Sequence, residues 1–201
     1  MFSASNAEFK TMNREIVTIV SGLPRSGTSM MMKMLEAGGM QVLTDNVRTA
    51  DEDNPKGYYE FEKVKQIEHD SSWLENARGR AVKMISALLK YLPQGYHYRV
   101  IFLRRKMEEI LASQRQMLVR REEPADKVGD ERMAGLFRRH LEQVEAWIDE
   151  QPNIEVVYIS YNEILSSPVE QAARINQFLG HTLSVENMVS VIDKMLYRQR
   201  Q

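Results

Sequence analysis

The sequence predicts an α/β protein of three layers, with helices on both faces of a mainly parallel central sheet. Short β-branched runs alternate along the chain with longer segments of helical periodicity. The first of these runs passes directly into a glycine-containing loop and then a helix. With 201 residues, the chain is long enough to bury a sizeable core as one domain over residues 1–201.

The elements follow in order. Ile16-Val17-Thr18-Ile19-Val20 reads as a buried parallel strand, and Thr28 to Ala37 as a mostly apolar helix stopped by Gly38-Gly39. Its methionines Met30, Met31, Met32 and Met34 read as adaptable core filler. Met40 to Leu43 suggests a second short strand, and Thr44 to Tyr59 a long loop of the kind that carries a binding or lid role. Glu62 to Ser71 is expected as a short helix and Ala81 to Ile85 as a strand. Tyr98 to Leu103 is a strong strand with Arg104 and Arg105 at its C-terminal end. Helices are expected over Met107 to Arg121 and Asp130 to Asp149, with Pro124 between them. Ile154 to Ile159 forms the next strand, Pro168 opens a helix closed by Gly180, and a last helix covers Val185 to Leu196.

Composition narrows the function. No cysteine is present, which excludes disulfides, thiolate metal sites and cysteine nucleophiles. Basic and acidic residues number 27 and 28, so net charge exerts no long-range pull on nucleic acid or anionic membrane. The arginines Arg115, Arg120, Arg121, Arg132, Arg138 and Arg139 are interleaved with acidic residues, a pattern expected of a solvated face. Met1 to Arg14 is polar, and no run approaches about 18 apolar residues, so the expectation is a cytoplasmic protein with neither nucleic-acid nor membrane partners. Oligomeric state stays open, a homodimer included.

The loop Gly22-Leu23-Pro24-Arg25-Ser26-Gly27-Thr28-Ser29 carries the chemistry. The first turn of a helix has free N–H groups, and its dipole favours an anion there. Gly22 and Gly27 let the backbone curl; Ser26, Thr28 and Ser29 offer hydroxyls, and Arg25 a fixed cation. The spacing equals that of the G-x-x-x-x-G-K-[ST] phosphate loop, except that Thr28 stands at the lysine position. None of the expected strands ends in an acidic residue suited to magnesium, and one ends in two arginines. A nucleotide kinase is thereby disfavoured, and a phosphate ligand neutralised by arginine without metal is favoured.

At this loop the sequence resembles the sulfotransferase family, in its bacterial G-x-P-R-S-G-T-[ST] form. Asn54-Pro55-Lys56-Gly57-Tyr58-Tyr59-Glu60 is similar to the N-P-x-G-y-x-E segment of bacterial members. Phe102-Leu103-Arg104-Arg105, followed by Ala112-Ser113-Gln114, resembles the family's 3′-phosphate motif and selects Arg105 and Ser113. Tyr158 to Leu165, Pro168 and Phe178-Leu179-Gly180 resemble its late strand and helix.

The resemblance implies 3′-phosphoadenosine 5′-phosphosulfate (PAPS) as donor, without metal, and transfer of its sulfuryl group to a small-molecule or carbohydrate acceptor. It implies that Gly22, Pro24, Arg25, Ser26, Gly27, Thr28 and Ser29 cradle the 5′ end, and that Arg105 and Ser113 hold the 3′-phosphate. Lys83 matches the lysine of the K-T-H arrangement of cytosolic members, but Ile85 stands where their catalytic histidine would be. The late R-K-G loop is also absent, Arg198 and Arg200 not reproducing it.

With no histidine to carry over, Glu60 is the first candidate for the base, by comparison with the carbohydrate-sulfating branch. The alternative is that Glu60 pairs with Lys56, Lys83 or Arg25 and shapes the pocket. Asp70, Glu62 and His69 are weaker candidates, and His140 is expected to be solvated beside Arg138 and Arg139. The four histidines include no pair at metal-ligand spacing. An acceptor pocket is expected between the Thr44 to Ser72 region and the long central helices. The competing reading is a non-catalytic nucleotide- or phosphate-binding module.

Overall fold

The computed structural model describes residues 15–45, 57–120 and 129–192. Strand β1 (Val17–Gly22) leads through the loop into helix α1 (Thr28–Ala37). A 3-10 turn (Glu62–Gln66) and helix α2 (Leu74–Ala77) precede β2 (Ala81–Lys83). A second 3-10 segment (Ser86–Tyr91) leads to β3 (Tyr98–Arg104), α3 (Met107–Arg120) and α4 (Asp130–Asp149). Strand β4 (Ile154–Ser160) is followed by α5 (Tyr161–Ser166), α6 (Pro168–Phe178) and α7 (Val185–Ser190).

The four strands form one sheet in the order β2-β1-β3-β4, every pair parallel. Val17 pairs with Tyr98, and Tyr98 with Ile154, so the C-terminal ends of β1, β3 and β4 lie in line. Alternation along the strands sends side chains to two separate cores. Val17, Ile19, Val82, Val100 and Phe102 meet Trp73, Leu74, Leu89 and Ile148 on one face. Val20, Ala81, Ile101, Leu103 and Ile159 meet Met31, Met32, Met34, Ile164, Ile175 and Met188 on the other. Helices therefore cover both faces, as continuous apolar parallel strands require. The α1 methionines pack in this second core, as the reading of them as core filler expected.

Several expected elements take another form. Met40 to Leu43 contributes only the bridge from Val42 to Ala81 rather than a strand. The strand expected through Ile85 stops at Lys83: the Met84 amide still bonds the Val20 carbonyl, and the chain then turns into the 3-10 segment at Ser86. The helix expected over Glu62 to Ser71 is the shorter 3-10 turn. Helix α5 was not anticipated, although Ser160 and Glu163 spell its cap: the Ser160 hydroxyl accepts the Glu163 amide at 3.3 Å. Residues 46–56 of the long loop, Arg121 and Pro124, and the expected helical turn through Leu196 with Arg198 and Arg200 lie outside the described residues. Among the described residues, no helix is long and apolar enough to cross a membrane.

Candidate phosphate site

The loop between β1 and α1 sits at the C-terminal edge of the sheet, where a parallel α/β fold exposes helix N-termini. Two of its glycines are sterically required. A Cβ on Gly22 would lie 2.7 Å from the Leu103 carbonyl oxygen, and one on Gly27 would lie 2.3 Å from Tyr161 Cδ2. Gly27, at φ 100°, is the residue before α1 and has no side chain to cap it; the first turn of α1 holds no acidic residue. Its amides are thus left to an external acceptor. Arg25 also adopts a left-handed φ of 71°. Pro24 is exposed at the tip of the loop, and Thr28 and Ser29 are half-buried in the first turn.

Ser26 is 0% exposed, and its hydroxyl has no hydrogen-bond partner among the described residues. A buried hydroxyl at a phosphate-loop position is costly unless a ligand completes it. This fits the residues to a phosphate ester.

Two groups of side chains converge on the loop. In the first, Arg25 Nε donates to Ser113 Oγ at 2.9 Å, while Arg105 Nη1 donates to the Arg25 carbonyl at 3.0 Å. Arg105 Nε is 2.8 Å from Glu109 Oε2, and its guanidinium lies 4.4 Å from the Tyr161 ring centre. Asn162 Nδ2 donates to the other oxygen of Glu109 at 2.8 Å. Burial pushes the Tyr161 phenol up from its ordinary pKa. Arg25, Arg105 and Ser113 are therefore brought together, with Arg25 bridging the pair selected for the 3′-phosphate.

In the second group, Ser29 Oγ donates to the Tyr58 carbonyl at 3.2 Å. Lys83 Nζ donates to the same carbonyl and to Ser29 Oγ, and it stands 3.8 Å from Glu60 Oε1. Thr44 Oγ1 and the Asp45 amide both donate to the Glu60 carbonyl, which ties this segment down beside the helix N-terminus. Glu60 and Lys83 thus meet beside the first turn of α1.

The weaker base candidates stand elsewhere. Glu62 pairs with Lys65 at 2.7 Å, and His69 is exposed. Asp70, also exposed, is held below its ordinary carboxylate pKa by hydrogen bonds from Ser72. His140 is not solvated as expected: its Nε2 lies 2.8 Å from Ser86 Oγ, joining α4 to the segment after β2. Its ring is half-buried because α4 lays this face on the 3-10 turn, and that burial lowers its pKa. Ile85, at the position of the missing histidine, is 47% exposed. The arginines Arg115, Arg120, Arg132, Arg138 and Arg139 are exposed, Arg115 paired with Asp130. Among the described residues, no group of three His, Asp or Glu side chains is placed to hold a metal.

Beside Arg105 lies a cleft of about 130 Å³ lined by Leu23, Leu103, Arg104, Arg105, Ile110 and Leu141. Its walls include α3 and α4, the long central helices expected to bound an acceptor. Sequence reasoning missed Glu109, Tyr161 and Asn162. Only Glu109 had a local signal, an acidic residue four positions after Arg105 in the first turn of α3.

The family model described as the sulfotransferase domain matches residues 16–200. No curated protein matches the chain. Among solved structures, the sulfotransferase STF1 from Mycobacterium tuberculosis H37Rv is similar at 18% identity and a TM-score of 0.56, covering 95% of this chain and 78% of its own. Mouse sulfotransferase SULT7A1 complexed with PAP has 18% identity and a TM-score of 0.56, covering 93% of this chain and 68% of its own. Sulfotransferase STF9 from Mycobacterium avium has 15% identity and a TM-score of 0.55, covering 92% and 69%. At these identities the likeness is one of fold.

Proposed function

Because this chain belongs to the sulfotransferase domain family, we propose that it moves the sulfuryl group of PAPS onto a hydroxyl or amine of a small-molecule or carbohydrate acceptor. Sulfotransferase-type group transfer follows from the family; the donor and acceptor are the reading proposed. The observation that carries it is that Arg25 and Arg105 belong to one hydrogen-bonded set at the loop, where a single ligand can meet both.

In this reading the α1 amides, Ser26, Thr28 and Ser29 bind the 5′-phosphate, within the curve made by Gly22, Pro24 and Gly27. Arg105 and Ser113 bind the 3′-phosphate, the group that separates this donor from simpler adenylates. Arg25 faces the oxygen on which negative charge grows as its bond to sulfur breaks. Lys83 neutralises the sulfuryl oxygens in passage. Glu60 takes the proton from the acceptor as the new O–S or N–S bond forms, and adenosine 3′,5′-bisphosphate is left.

Calorimetry tests the donor half. Adenosine 3′,5′-bisphosphate should bind without metal and more tightly than ATP with magnesium, and Arg105→Ala should remove most of its advantage over AMP. Equal affinity of the wild type for AMP and the bisphosphate would defeat the role given to Arg105 and Ser113. In transfer assays Arg25→Ala should abolish turnover, whereas Glu60→Gln should slow it with donor affinity nearly kept. Full turnover in the glutamine variant removes Glu60 as base. The placement of Glu60 beside Lys83 and the isoleucine at position 85 favour, as a second reading, a module that binds the nucleotide without turning it over. Absence of turnover across acceptors, with bisphosphate binding intact, selects that reading.

A further inference from the structure

Glu109 is 2% exposed, yet the proposed reaction gives it no part. Burying a carboxylate is tolerated only when it is paired and hydrogen-bonded, and Glu109 is both. One oxygen takes Arg105 Nε at 2.8 Å; the other takes Asn162 Nδ2 at 2.8 Å. Arg105, with a side chain only 8% exposed, then reaches the Arg25 carbonyl. That carbonyl belongs to the residue held at φ 71°, whose own side chain returns to Ser113 on the helix that carries Glu109. The contacts close a circuit: Arg25 to Ser113, along α3 to Glu109, to Arg105, and back to Arg25. Asn162 fastens it to α5, where the neighbouring Tyr161 packs against Gly27.

We propose that Glu109 and Asn162 are positioning residues that hold Arg105 against the Arg25 carbonyl, fixing the left-handed bend of the loop and the spacing of the two arginines. The circuit exists before any ligand arrives, so the ordering of two long side chains is not charged to binding. The consequence for ligand choice rests on the donor reading above; the consequence for the loop does not.

Two measurements separate these. In the ligand-free protein, Glu109→Ala and Asn162→Ala should speed hydrogen exchange at the Gly22 to Ser29 amides, with amides of β3 and α6 unchanged. In calorimetry, Asn162→Ala should lower affinity for adenosine 3′,5′-bisphosphate about tenfold and for AMP only about twofold. Glu109→Gln should keep most of the wild-type preference, since its amide oxygen still accepts from Arg105 and the Asn162 amide can turn to suit. Unchanged loop exchange in both alanine variants overturns the positioning role, as does equal loss of both ligands. A wild type indifferent to the 3′-phosphate defeats the donor reading alone; the exchange result still decides for or against Glu109 and Asn162. Should Glu109→Ala fail to fold, Asn162→Ala, which leaves the carboxylate paired with Arg105, decides it.

Discussion

A methyl group at position 27 has two independent obstacles. The backbone there is left-handed, and the tyrosine ring of α5 occupies the space. The conformational part alone destabilises an alanine by more than about 1 kcal/mol. The steric part depends on whether Tyr161 can move, and it is held by the Arg105 guanidinium over its ring. Gly27→Ala is therefore expected to lower the urea midpoint and to weaken bisphosphate binding together. In a Tyr161→Ala background the same substitution should cost markedly less, because the second obstacle is gone and only the backbone term remains. Additive costs in the double-mutant cycle would mean that the ring does not dictate glycine here. Ser26 gives the complementary case: its hydroxyl is buried without a partner among the described residues, so Ser26→Ala should leave ligand-free stability unchanged or slightly raised while lowering bisphosphate affinity. Equal bisphosphate affinity in Ser26→Ala and wild type would show that the hydroxyl plays no part in the site.

At the scale of elements, α4 and the segment after β2 are joined through a titratable group. Burial and the charge of Lys90 lower the pKa of His140 below its ordinary value. The unfolded chain thus binds this proton more readily than the fold does, so stability should be complete above the unfolded pKa, about 6.5, and decline as pH falls through and below it. Urea unfolding at pH 7.5 and pH 5.5 should show a larger loss for wild type than for His140→Gln; equal losses would exclude His140 as the origin. The contact also shows where sequence reading stops. The α4 helix was legible from its periodicity, and its bounds came out at Asp130 and Asp149 as expected. Which of its residues would meet Ser86, 54 positions away, was not, because that depends on how a helix is rotated against a distant turn. The loop from Gly22 to Ser29 was legible for the opposite reason: its chemistry is local, a strand end, two glycines and a helix start. Arg105 and Ser113 were legible through their resemblance to a family motif that sets a strand-end arginine before a helical serine, but not the insertion of Arg25 between them. Asn162 was invisible, since its partner Glu109 lies 53 residues away on the helix after another strand and Asn162 has no pattern of its own.

Considered whole, the molecule has a formal net charge of only -1, so attraction for a polyanion cannot come from the chain as a body. It has to come from Arg25, Lys83 and Arg105 at one edge of the sheet, partly offset by Glu60 and Glu109 beside them. Charges so placed act within a Debye length, about 8 Å at physiological ionic strength, and bisphosphate affinity should fall with added salt while AMP affinity falls less. The same edge is where β1, β3, α1, α3 and α5 meet. Both helical layers border this edge: α1 and α5 pack on one face of the sheet, and α4, which lines the adjoining cleft, packs on the other. If these layers unfold together, binding stabilises all of them by one amount. At a hundredfold excess over its dissociation constant, the bisphosphate should add about 2.7 kcal/mol to the unfolding free energy. That gain should be identical by far-UV circular dichroism, which reports every helix, and by fluorescence of Trp73 and Trp147, which pack on the face opposite α1. A gain in one signal and none in the other would mean that the phosphate loop opens with its own layer, and that the two cores do not behave as one cooperative unit.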